Sequence, residues 1–185
     1  MDQVFVIFSI DPGINHLGLS ISEVDFKNKQ VLKTQTQTIH VKEKYLSLYS
    51  IENYGLKQTK IDYLNEQFIN FVEKFKPVTL AIETPFYNMK RPAAFMPLVE
   101  LMYQLRFTLR DLLPTANLAL YQPSIIKKTI GANATCKKEE VRDYVLRKKN
   151  FFHYDGNVPM EELDEHSIDS LAIFYTHYET TLREK

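Results

Sequence analysis

Val4-Phe5-Val6-Ile7-Phe8-Ser9-Ile10-Asp11-Pro12-Gly13 is an apolar run, rich in β-branched and aromatic residues, that halts at an acid, a proline and a glycine. Such a run reads as a buried strand closed by a turn. An acid at the carboxyl end of a central strand lies where open α/β sheets place their active sites. Asp before Pro-Gly also serves simply to shape a turn. The choice between the two depends on which other groups arrive beside Asp11.

Beyond the turn bracketed by Gly13 and Gly18, residues 19–24 alternate apolar and polar side chains as a half-buried antiparallel strand does. Residues 31–41 suit a third, edge strand, which completes a meander. Residues 42–57 show no clear period and read as a long loop or insertion. A helix then follows, with Ile61, Leu64, Phe68, Phe71, Val72 and Phe75 recurring at three- and four-residue steps until Pro77.

Val78-Thr79-Leu80-Ala81-Ile82-Glu83 is a second apolar strand ending in an acid. The helix before it makes it a crossover strand, parallel to its neighbour. If it pairs with the first strand, Asp11 and Glu83 meet at one sheet edge. Two buried carboxylates repel unless a proton or a cation lies between them, and a divalent ion such as Mg²⁺ is the natural occupant. Phe95, Leu98, Met102, Leu105, Leu109 and Leu112 mark the buried stripe of a long helix, and residues 118–121 a fifth strand. A short helix from Pro123 ends near Gly131. Another opens with Thr135 as N-cap and runs to about Lys149. Residues 151–162 form a turn-rich connection. The last helix starts near Leu163 with Ile168, Leu171, Ala172 and Tyr175 inward, so His166 and Asp169, three apart, share a face of its first turns. Asp164 and Glu165 at its start have a structural reading, because acids suit the dipole there.

The 185 residues, 44% hydrophobic and 25% charged, suit one globular domain over 1–185. No apolar run is long enough to span a bilayer and no signal-peptide pattern is present, so a soluble intracellular protein with no membrane partner is expected. The single cysteine, Cys136, excludes an internal disulfide. Net charge is zero, from 23 basic and 23 acidic residues, but the charges are unevenly placed. Residues 127–149 hold eight Lys or Arg against three acids, and residues 155–165 hold five acids and no Lys or Arg. Basic and acidic blocks side by side suit a protein holding a polyanion next to a metal site, although charge runs are more often solvated faces.

Four motifs, Ser9-Ile10-Asp11-Pro12-Gly13, Ala81-Ile82-Glu83, Ile126-Lys127-Lys128-Thr129-Ile130-Gly131 and His166-Ser167-Ile168-Asp169-Ser170-Leu171-Ala172, fall in the order and rough spacing of RuvC-type Holliday junction resolvases. The chain resembles that family over residues 4–178, and a poxvirus- or phage-type branch is as compatible as the bacterial one. The resemblance implies an RNase H-like α/β fold: a five-stranded mixed sheet with helices on both faces. It also implies a structure-selective endonuclease that resolves four-way junctions by paired symmetric nicks. Asp11 would bridge two Mg²⁺ ions, Glu83 and Asp169 would flank them, and His166 would stand where many members carry a further Asp. Its nitrogen raises the prospect of Mn²⁺ as well. Lys127 or Lys128, with Lys127 preferred, would match a lysine near the scissile phosphate, and Lys138 a second. Phe86 would match an aromatic that stacks on junction bases; its alternative is core packing. Lys90, Arg91, Lys128, Lys137 and Lys138 would grip phosphates. A homodimer is implied, with the helix over 92–112 and its Phe95, Met96, Leu98 and Met102 as interface candidates.

Three rivals use the same residues differently. A related nuclease on this scaffold would act on flaps, other branched DNA or RNA–DNA hybrids through the same metal site. An actin-like ATPase needs several glycine-rich phosphate loops, and the five glycines here are not clustered. A non-catalytic DNA-binding module has no use for buried carboxylates facing a phosphate.

Overall fold

The computed structural model describes residues 4–87, 89, 92–133 and 136–183. Five strands form one mixed sheet: β1 (Val4–Asp11), β2 (His16–Asp25), β3 (Gln30–His40), β4 (Thr79–Glu83) and β5 (Asn117–Tyr121), in the order β3-β2-β1-β4-β5. The meander pairs β1 with β2 and β2 with β3 antiparallel, while β1–β4 and β4–β5 are parallel. The helices are α1 (Leu48–Tyr54), α2 (Leu56–Phe75), α3 (Phe95–Leu112), α4 (Pro123–Ile130), α5 (Lys138–Leu146), α6 (Lys149–Phe152) and α7 (Glu165–His177). A wider π-helical stretch over 178–183 extends α7. Among the described residues no helix is long and apolar enough to cross a membrane.

The two-residue period of the strands sorts their side chains into two cores. Phe8, Ile10, Leu17, Leu19, Ile21, Leu80 and Ile82 pack with α2 and α3 on one face. Ile7, Val24, Val31, Ala81 and Tyr121 pack with α4 to α7 on the other. The sheet surface under α7 is not oily: Ser9, Ser20, Ser22 and Thr34 are fully buried there. Ser20 donates to the Ser170 carbonyl and Thr34 to Ser22. Small polar side chains let α7 approach the sheet closely.

Several elements depart from the sequence reading. Gly18 is a residue of β2, paired with Asp11, not the far end of a turn. Residues 43–45 form a 3₁₀ turn, and the stretch read as loop continues into α1, whose N-cap Ser47 accepts from the Ser50 amide. No residue of α1 is buried, so no apolar stripe was there to reveal it. The buried stripe of α3 runs through Pro97, Leu101, Leu105, Thr108 and Leu109, and Leu112 is exposed. The long connection over 151–162 contains part of α6 and a 3₁₀ turn, because Phe152 and Met160 supply buried anchors. Helix α5 begins at Lys138 with Lys137 in the cap position; Thr135, expected as the cap, lies outside the described residues.

Candidate active site

The β1–β4 register pairs Ile10 with Ile82, so Asp11 and Glu83 follow side by side at the strand ends. Strand parity then fixes their direction. Ile7 and Ala81 face α7, so Asp11 and Glu83, an even number of residues later, face it too. Both line one cleft of about 270 Å³ together with Thr84, Phe86, Leu98 and His166.

His166 reaches the cleft because of Gly18. A Cβ on Gly18 would stand 2.2 Å from the His166 carbonyl oxygen, so only glycine lets the first turn of α7 rest on β2 there. Since Gly18 pairs with Asp11, the same contact delivers His166 to Asp11. His166 Nδ1 lies 2.8 Å from Asp11 Oδ2, with the two side chains 26% and 14% exposed. An ionised carboxylate only accepts, so the imidazole donates Nδ1–H.

The start of α7 is fixed from three sides. Asp164 is its N-cap, accepting from the Ser167 amide at 2.8 Å and from the Thr38 hydroxyl at 2.7 Å. Burial works to raise the Asp164 carboxyl, but the Ser167 amide, the Thr38 hydroxyl and nearby His166 outweigh it and hold it below the usual value. Arg142 donates through both terminal nitrogens to the Leu163 carbonyl, just ahead of the helix.

Two histidines that the sequence reading passed over complete the surroundings. His16 stacks on His166 with ring centroids 5.1 Å apart, and its Nδ1 lies 2.9 Å from that of His40. Burial, then the His166 and His40 rings, hold His16 below the usual histidine value, which favours its neutral form. Asn15 accepts from the Lys60 ammonium and from the Val41 amide, tying the β1–β2 turn to the end of β3. The β2–β3 register brings His16 and His40 together, and that pairing was the available signal.

The other expected site residues sit as follows. Asp169, half-buried on α7, lines a separate cavity with Glu139, Arg142, Glu165 and Ile168. The Lys127 ammonium donates to the Cys136 carbonyl at 2.9 Å. Phe86 is 57% exposed at the cleft, so it is not a core residue. Lys128 and Lys137 are exposed. Lys90 and Arg91 lie outside the described residues, as does the side chain of Lys138. Among the described residues no three His, Cys, Asp or Glu side chains converge closely enough to hold an ion as they stand. The donor types in the Asp11 cleft, two carboxylates and an imidazole, nevertheless suit a divalent cation in place of the His166 proton.

No family model matches the chain. The chain is 25% identical to the crossover junction endodeoxyribonuclease RuvC of Bacteroides fragilis over 175 residues, 94% of this chain and 81% of that protein. The structure of Thermus thermophilus RuvC superposes with a TM-score of 0.65 at 21% identity, covering 93% of this chain and 92% of that one. The same protein in complex with Holliday junction substrate gives 0.65 at 18%, with the same coverage. The yeast mitochondrial Holliday junction resolvase Ydc2 gives 0.60 at 13%, covering 96% of this chain and 80% of that one. The chain therefore shares the RNase H-like α/β fold of these proteins and resembles a RuvC-type Holliday junction resolvase along nearly its whole length.

Proposed function

We propose that this chain is a structure-selective DNA endonuclease that resolves four-way junctions by paired, symmetric, metal-dependent nicks. The observation that carries the proposal is the Asp11–His166 contact beside Glu83, at the carboxyl ends of two parallel strands. The sequence similarity to a crossover junction endodeoxyribonuclease over 94% of the chain supports it.

Asp11, Glu83 and His166 in the cleft would hold Mg²⁺, with Mn²⁺ acceptable to the imidazole, and a pair of ions would require Asp169 to turn in from the separate cavity it lines. Bound there, such ions make a hydroxide available near neutral pH and neutralise charge on the phosphate. The chain supplies the rest. Asp11 on the central strand fixes the position of the site. The Asp11–His166 hydrogen bond holds both side chains in place in the cleft, where either would be available to a bound ion. Lys127, whose ammonium donates to the Cys136 carbonyl in the free protein, would turn to the phosphate and offset charge on the pentacovalent phosphate. The exposed ring of Phe86 offers a stacking surface that any base can use, and Lys128, Lys137 and Lys138 would contact phosphates, with Lys90 and Arg91. A two-fold homodimer would present two such clefts to a roughly two-fold substrate.

The test is to incubate a four-way junction, a flap, a linear duplex and an RNA–DNA hybrid with the protein and Mg²⁺ or Mn²⁺. Paired nicks confined to the junction are expected, while preferential cutting of the hybrid would point to a ribonuclease H activity instead. Asp11→Asn and Glu83→Gln are each expected to abolish cleavage and retain junction binding. Near wild-type cleavage by Asp11→Asn refutes the site.

A further inference from the structure

A groove of about 520 Å³ runs between the edge strand β3 and helix α2. Lys42, Tyr45, Tyr63, Gln67, Asn70 and Lys74 are among its lining residues, with His40 at one end. Among the described residues lining it there is no Asp or Glu, although the whole chain has as many acids as bases. Its charged groups are cations, its amides and hydroxyls can donate, and its exposed aromatic, Tyr45, is 59% accessible.

A chain of ring contacts leads from the groove to the active site. His40 meets His16, and His16 stacks on His166. The wall carrying Lys42 and Tyr45 is pinned to the β1–β2 turn, because Lys60 bonds Asn15 at 2.8 Å and pairs with Glu43 at 3.5 Å. A cationic groove with aromatic faces is what a single nucleic-acid strand requires: cations track the backbone and rings take unstacked bases.

We infer that the β3–α2 groove carries one unpaired DNA strand away from the cleft, with Lys42 and Lys74 on its phosphates and Tyr45 against a base. This gives the start of the 42–57 stretch a purpose, with Lys42 and Tyr45 walling the groove, and it rests on the nuclease reading above. Phe86 lies on the opposite rim of the cleft, among α3 residues, so the two aromatic positions would receive different strands.

The test is binding of a four-way junction in EDTA, followed by fluorescence anisotropy across a salt series. The double variant Lys42→Gln, Lys74→Gln is expected to bind about tenfold more weakly at low salt. Its log K against log salt slope should be shallower by roughly 1.4–1.8, at about 0.7–0.9 for each phosphate no longer neutralised. Lys27→Gln, Lys29→Gln makes the same charge change at the β2–β3 turn, the far end of that hairpin, and should leave the slope unaltered. Tyr45→Ala should weaken binding several-fold without changing the slope. 4-Thiothymidine next to the junction centre should cross-link to the peptide containing Tyr45. Equal slopes for wild type and the Lys42, Lys74 variant, or cross-links confined to the Phe86 segment, overturn the groove assignment while leaving the nuclease reading intact. Wild-type protein that binds and cuts no branched DNA removes both.

Discussion

Gly18 is the residue on which the candidate site turns, although it touches no substrate. Its missing side chain lets the His166 backbone rest on β2. Gly18→Ala should push the first turn of α7 off the sheet, at a cost of about 1–3 kcal/mol, the usual range for overpacking. Because the displaced turn carries His166, cleavage should fall much further than stability does. Thermal melting and single-turnover rates on the same preparation check both, and an unchanged rate would detach His166 from the chemistry. Asp11 and Glu83 were legible in the sequence, because an acid ending an apolar strand is a local signal. His16 and Gly18 were not. Their importance comes from pairing across the meander and from a helix about 150 residues later, which no local window contains.

Helix α7 is held as an element by its cap rather than by a strong apolar stripe alone. Asp164 satisfies the Ser167 amide and is itself clasped by Thr38 from the edge strand. Asp164→Ala should destabilise the fold by about 1–2 kcal/mol, the upper range for a lost N-cap, and Asp164→Asn should recover most of it. Chemical denaturation of the three proteins decides the matter. The strands and the helices α2, α3 and α7 were readable from periodicity, since each buries a stripe against the sheet. Helix α1 was not, because it buries nothing, and periodicity reports burial rather than helicity. The register of α3 slipped for a related reason: with apolar residues on several faces, including exposed Met96, Tyr103, Phe107 and Leu112, the sequence allows more than one stripe.

At the scale of the whole molecule, exposed Met96, Tyr103 and Phe107, seven and four residues apart on α3, offer a face for a second copy. A two-fold dimer through α3 predicts that Phe107→Glu shifts the protein to monomer in analytical ultracentrifugation and that the monomer nicks one strand at a time. A wild-type monomer at micromolar concentration would contradict it. Acid sensitivity should come from the far end of α7. His177 is buried, bonded through Nδ1 to the Tyr121 hydroxyl at 2.8 Å, and burial lowers it from 6.5 to about 4. Between those values the unfolded chain binds the proton and the folded one does not, so stability is full above about pH 6.5 and falls as pH drops towards 4. The loss amounts to roughly 3 kcal/mol at most, and His177→Gln should flatten the slope in melts across that range. The central strand β1 is bonded on one side to β2 and on the other to β4, whereas α1 has no buried residue. Amide protons of β1 should therefore exchange with solvent only when the entire domain opens, and those of α1 by fraying within the native state. The acid at the end of β1 would stay fixed while the segment beside it breathes, so adjustment to differently shaped DNA would fall to the periphery and the attacking geometry would be left undisturbed.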